Sequence, residues 1–156
     1  MSADIFIPAR TSGHGQFTVD IDHEKAGWGY SGLRVVELEA GASQALETGD
    51  SELLVLPLAG SATVNVDGRD YELAGRPGVF QAVTDYLYVG RGKELTITSA
   101  AGGRFAFPSA VATKDLPTAY YPKETVRIDL RGAGDCSRQV NNYCLAVEGV
   151  TTSHLL

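Results

Sequence analysis

The side chains able to do chemistry in this chain are few and scattered. Its three histidines, His14, His23 and His154, share no spacing that a strand or helix would turn into a site. Isolated histidines of this kind are ordinarily surface or structural residues, and no catalytic residue is assigned. Cys136 and Cys144 match no zinc or redox spacing and are expected to be buried, reduced thiols. The polar cluster of most interest is Arg138, Gln139, Asn141 and Asn142, in the run Arg138-Gln139-Val140-Asn141-Asn142. A guanidinium can clasp a carboxylate bidentately while amides bind hydroxyls; the competing reading is a set of buried polar groups satisfying one another. Trp28 and Tyr30, flanked by Gly27, Gly29 and Gly32, could stack on a sugar, but packing is the expectation for large aromatics. Lys93, Glu94 and Asp135 stand near glycines and read as solvated turns.

The elements that must position these groups are strands. From Leu33 onward apolar residues recur at strand spacing, punctuated by Gly, Asp or Pro, as in a β-sandwich or barrel. Candidate strands are Leu33 to Glu39, Glu52 to Leu58, Ser61 to Val66, Arg69 to Leu73, Tyr86 to Val89, Glu94 to Thr98 and Arg104 to Ser109. Asp67-Gly68 predicts a two-residue hairpin turn, and Gly41, Gly49 and Gly60 mark sharp turns. Between Val111 and Pro122 the pattern lapses, with Pro117 and Pro122 biasing their neighbours toward extended backbone, and reads as a linker. Alternation resumes from Thr125 to Leu130, and the apolar pair Leu155-Leu156 suggests a strand cut short.

Composition removes several classes of function. A chain of 156 residues is one domain of ordinary size, and 44% hydrophobic residues with a mean hydropathy of -0.05 fit a soluble globular protein rather than a disordered one. The net charge of -6 and the scatter of Lys and Arg leave no basic stripe for nucleic acid. No apolar run approaches the ~18 residues of a membrane-spanning helix, and Met1-Ser2-Ala3-Asp4 lacks the basic start and apolar stretch of a signal peptide. No membrane partner and a cytoplasmic location are expected.

The order of strands and glycines resembles the cupin double motif, an all-β jelly-roll barrel. Two stretches bring the resemblance closer: Ala26-Gly27-Trp28-Gly29-Tyr30-Ser31-Gly32-Leu33-Arg34-Val35 and Arg138-Gln139-Val140-Asn141-Asn142. With Leu46-Glu47-Thr48-Gly49-Asp50 and Leu56-Pro57-Leu58-Ala59-Gly60 they are similar to the N-terminal half of the 5-deoxy-glucuronate isomerase family, bicupin enzymes of myo-inositol breakdown. The resemblance implies a cupin barrel with N-terminal strands over 1–110, a linker over 111–124 and the first strands of a second cupin barrel over 125–156. It also implies an aldose to ketose isomerisation of a uronate, with a divalent metal held by the second barrel.

Counting on from Gly41 puts Glu47 and Gly49 where a metal-binding cupin has two histidines, and counting back from Gly60 puts Leu53 at its glutamate. Leu95 falls where the second cupin motif supplies a further histidine. Glu47, even with Glu52, offers too few ligands for a transition-metal ion, so no metal and no cofactor are expected in this chain. On this reading the chain is an inactive structural half whose partners are a small uronate or sugar acid and the second cupin barrel. Arg138, Gln139, Asn141 and Asn142 would then contact the substrate or hydrogen-bond between barrels. Apolar surface left bare makes a homo-oligomer a further expectation. The neighbouring bicupin, 4-deoxy-5-hexosulose-uronate ketol-isomerase, is an alternative enzyme. A complete, non-catalytic cupin that binds a sugar acid or only assembles is an alternative of another class; it requires a mouth lined by Glu47, Gln44 and Arg91.

Overall fold

The computed structural model describes residues 6–8 and 10–155; the Met1-to-Asp4 start and Leu156 lie outside the described residues. After β1 (Phe17–Ile21) and one helical turn, α1 (His23–Ala26), the chain is built from strands: β2 (Ser31–Leu38), β3 (Ser43–Glu47), β4 (Ser51–Val66), β5 (Arg69–Arg76), β6 (Tyr86–Val89), β7 (Glu94–Thr98) and β8 (Gly103–Val111). All pair antiparallel. One layer runs β1-β2-β8-β4-β6, the other joins β3, β7, β4 and β5, and β4 belongs to both.

That shared strand explains why Glu52 to Leu58 and Ser61 to Val66, expected as two strands, form one element of 16 residues. The register slips between Pro57 and Ala59 and again between Gly60 and Ala62. A strand turns a sandwich corner at such bulges. Before the bend Leu53 and Val55 point into the core; after it Ala62, Val64 and Val66 do, so the inward parity has switched. Gly60 makes the corner at φ 91, and a Cβ there would stand 2.7 Å from the Gly102 carbonyl oxygen. The hairpin turn falls where Asp67-Gly68 places it, with φ of 49 and 84 at the two residues. The space between the layers is filled by aliphatic and aromatic side chains, among them Leu53, Leu87, Leu95, Ile97, Phe105 and Phe107.

The segment read as a linker contains β9 (Ala119–Tyr121), which pairs with β6 in the barrel's own sheet. Three residues between two prolines give too little periodicity to announce a strand; the pairing comes from tertiary contact. Beyond it, β10 (Arg127–Arg131) and β11 (Arg138–Asn142) form a separate two-stranded sheet. The chain then returns across the outer face of β4 and β6, where Val126, Cys144 and Val150 are buried with Leu54, Tyr86 and Tyr88. Both faces of β6 are therefore covered, which accounts for its unbroken burial and its continuous apolar run Tyr86-Leu87-Tyr88-Val89. No helix among the described residues is long and apolar enough to cross a membrane.

Backbone crowding gives a graded test. A Cβ on Gly75, at φ 67, would lie 1.8 Å from the Gly60 carbonyl oxygen, whereas Gly68, at φ 84, has open space around it. Gly68→Ala is expected to cost about 1 kcal/mol, the left-handed backbone penalty alone, and Gly75→Ala at least twice as much, measured as the shift in urea midpoint.

Candidate functional site

Leu53 and Leu95, at two positions where a metal-binding cupin has ligands, are 1% and 3% exposed in the core. Glu47 points to solvent at the rim, and Gly49 forms a left-handed turn at φ 58. Among the described residues no three His, Cys, Asp or Glu side chains come close enough together to hold a metal ion. A lone rim carboxylate and two sealed leucines do not fit the ligand set of a divalent transition metal.

The rim itself holds an open pocket of about 540 Å³ lined by Arg34, Glu47, Asn65, Asp67 and Glu94 among others. Asp67 is paired with Lys93 at 2.7 Å, which leaves Glu47 and Glu94 against Arg34, a balance that does not favour a sugar acid. The other two residues expected at a binding mouth lie elsewhere. Arg91 is engaged by Asp115 at 3.3 Å and the Ala112 carbonyl at 2.9 Å, and the Gln44 amide donates to the Ala45 carbonyl at 2.7 Å.

Strand alternation divides the polar cluster on β11. Gln139 and Asn141 share one face, bonded to each other at 2.9 Å, opposite Leu130 and Ile128 of β10. Arg138 and Asn142 occupy the other face, opposite Arg131 and Arg127. At the centre of that second face stands Asp129, which accepts from Arg127 Nε and Arg131 Nη2 at 2.9 Å each and from Asn142 Nδ2 at 3.3 Å. Its bonds to Arg131 and Arg127 hold the Asp129 carboxyl below the usual range. The register thus sets two of the four candidates on each face; Asp129 and its two arginines, unnoticed in the sequence, share the face of Arg138 and Asn142. The period-two run Arg127-x-Asp129-x-Arg131 was the available signal.

The most constrained polar group is Glu52, which is fully buried. Its carboxylate accepts the hydroxyl of Tyr88 at 2.7 Å and the backbone N–H groups of Ser153, His154 and Leu155 at 2.8, 2.6 and 2.9 Å. Burial alone would raise the carboxyl's pKa, but the four hydrogen bonds outweigh it and the net shift is downward. Burial and the bond to Glu52 push the Tyr88 hydroxyl well above its ordinary value. Nearby, the Tyr86 hydroxyl accepts the Cys144 N–H at 3.1 Å and is pushed up to about 12, chiefly by burial. The Cys144 thiol is pushed up to about 11 by burial and then by Glu52, so it is inert as a nucleophile. Cys136 is exposed, contrary to the expectation of two buried thiols.

A second polar network binds the returning segment to β5 and β6. Asp85 accepts the N–H groups of Ala74 and Gly75 and the Tyr120 hydroxyl at 2.7, 2.9 and 2.9 Å. Arg76 donates to the Pro57 carbonyl at 2.9 Å and to the Tyr143 hydroxyl at 3.1 Å. Trp28 and Tyr30, expected to pack, are 55% and 56% exposed. Tyr30 leans on His154 with ring centroids 5.0 Å apart, and the His154 ring is held against the Val111 carbonyl. None of the histidines joins a site.

Two antiparallel layers sharing one long strand around a filled interior define an all-β cupin-type barrel. The chain belongs to the KduI/IolB family, whose model matches residues 5–156. It is 30% identical over 141 residues to the 5-deoxy-glucuronate isomerase of Listeria innocua serovar 6a, covering 88% of this chain and 51% of that protein. It is 28% identical over 140 residues to the enzyme of the same name from Geobacillus kaustophilus, with the same two coverages. Among solved structures, an IolB-like protein from Salmonella typhimurium LT2 superposes with a TM-score of 0.77 at 26% identity, over 84% of this chain and 51% of that one. The chain spans about half the length of the curated relatives it matches.

Removing the Glu52 carboxylate should free the returning segment. Glu52→Ala leaves three N–H groups and one hydroxyl without an acceptor and is expected to cost about 2–4 kcal/mol, with limited proteolysis cutting first within 143–155. Because the folded pKa is lowered, the carboxylate's contribution is complete above the ordinary glutamate value of 4.5 and fades as pH falls below it. Glu52→Gln should flatten that acid limb of the stability curve; an unchanged limb would assign it to other carboxylates.

Proposed function

We propose that this chain is the metal-free structural half of a 5-deoxy-glucuronate isomerase. In the whole protein the reaction is an aldose to ketose isomerisation of 5-deoxy-glucuronate to 5-dehydro-2-deoxy-gluconate, in the cytoplasmic breakdown of myo-inositol. The observation that carries this reading is the sealing of Leu53 and Leu95 into the core at positions where a metal-binding cupin has ligands. A barrel whose interior is packed solid works as a scaffold, so the divalent metal and the base that moves the proton belong to a second barrel.

That second cupin barrel is the expected macromolecular partner. The described surface supports a partner: Phe80 is fully exposed, and Leu130 and Val147 are 82% and 76% exposed. Apolar side chains presented in this way favour association, with another barrel or with further copies of the assembly. The small-molecule ligand is a uronate or related sugar acid. The non-catalytic cupin reading is weaker, since Gln44 and Arg91 do not join Glu47 at a mouth.

Elemental analysis tests the reading directly. The 156-residue chain is expected to carry no stoichiometric metal, and the same chain joined to a second family barrel about one ion per polypeptide together with isomerase activity. Stoichiometric metal in the short chain would overturn the assignment and return attention to Glu47 and the acidic rim.

A further inference from the structure

One face of the β10–β11 hairpin carries more positive charge than its own fold uses. Arg127, Arg131 and Arg138 stand on it with a single carboxylate, Asp129, in a chain whose formal charge is -6. Arg131 and Arg138 lie directly opposite each other across the two strands, a like-charge pairing that destabilises a sheet. Asp129 engages Arg127 and Arg131 through one nitrogen each, leaving most of their donors unused, and both side chains are about half exposed. Arg138 makes no ion pair among the described residues; its one hydrogen bond runs from Nη1 to the Cys136 carbonyl at 3.3 Å.

The turn is shaped around that guanidinium. Gly132 adopts φ 82, and a Cβ there would lie 3.2 Å from Arg138 Nη1 and 2.2 Å from the Cys136 carbonyl oxygen. A side chain at 132 would therefore displace the loop on which Arg138 rests. Beside it, at the turn end of the hairpin, opens a shallow groove of about 360 Å³ bounded by Arg131, Gly132, Ser137 and Arg138 and, from the other face, by Leu130 and Gln139.

We propose that this face is the carboxylate-recognition surface for a small polyhydroxy monocarboxylate. Arg138 presents its unused donors to the carboxylate, Arg131 across the strand supplies a second donor, and the ligand's hydroxyls meet the Asn142 amide. Asp129 is a positioning residue: it holds the Arg131 and Arg127 guanidiniums in place so that less side-chain freedom is lost on binding. An anion here also relieves the Arg131 and Arg138 repulsion. Only the class of ligand, a sugar acid, rests on the isomerase reading; the site itself rests on the hairpin.

The test is a nuclear magnetic resonance titration of the uniformly 15N-labelled 156-residue chain with D-glucuronate, with D-glucose and sodium chloride as controls at matched ionic strength. D-glucuronate is expected to shift the Arg131 and Arg138 Nε–H signals saturably, with D-glucose and chloride silent. Arg138→Gln should weaken binding about tenfold, the loss expected of one charge-assisted contact, and Arg138→Lys should restore it only in part, because an ammonium lacks the fork. Asp129→Asn should weaken binding and broaden the Arg131 Nε–H signal while the β10–β11 backbone amides keep their positions. Equal shifts with D-glucose or chloride, or an Arg138→Gln chain that titrates like the parent, would overturn the proposal. A joined two-barrel protein without isomerase activity, set beside a chain that still binds D-glucuronate, would remove the isomerase reading and leave this site standing.

Discussion

A carboxylate sealed from water without a cationic partner must be satisfied by hydrogen bonds or lose its charge, and Glu52 meets that demand with groups distant in sequence. Its three backbone donors lie 101 to 103 residues further along the chain, so the charge can be satisfied away from water only when the last described turn is docked. The dependence runs both ways. Leu54, Tyr86 and Tyr88 on the outer face of the sheet need a cover, and the segment carrying Val126, Cys144 and Val150 provides it. Tyr88 links the two requirements, since its ring belongs to the apolar cluster and its hydroxyl to the carboxylate.

The same strand that carries Glu52 outward carries Leu53 inward. With side chains alternating along β4, one face of its first half builds the clamp and the other closes the barrel interior. Leu53 and Leu95 complete a core with no room for imidazole or carboxylate ligands. The polar side chains that remain accessible lie on the surface, at the rim and on the arginine face of the β10–β11 hairpin. The hairpin's other face presents Leu130 and Ile128 to solvent. The two faces of the hairpin therefore differ in character, one carrying Leu130 and Ile128 beside Gln139 and Asn141 and the other its three arginines.

Glycine contributes at a small number of enforced points. Gly60 lets β4 pass from one layer to the other, and Gly75 lets β5 lie against that corner, where any side chain would strike backbone. These are steric requirements of two strands crossing closely, distinct from the open turn at Gly68, where only the sign of φ matters.

Much of the barrel was legible in the sequence because it depends on local periodicity. Tyr86 to Val89 and Glu94 to Thr98 are strands with the expected bounds, and Asp67-Gly68 makes its turn because those two residue types tolerate positive φ. The replacement of ligand positions by Leu53 and Leu95 was equally readable, since leucine cannot bind an ion whatever the fold. What sequence could not supply was every feature that depends on distant pairing. The union of two candidate strands into β4 depends on a bulge packed against Gly102, and β9 exists because β6 offers it an open edge. The division of Arg138 and Asn142 from Gln139 and Asn141 follows from strand alternation once β10 fixes the register, and the same register places Asp129 among three arginines. Glu52 entered the sequence reading only as a carboxylate too few, with Glu47, to make a metal site, because its partners are backbone N–H groups, which have no residue type to recognise; only the docking of residues 153–155 could show what that carboxylate holds.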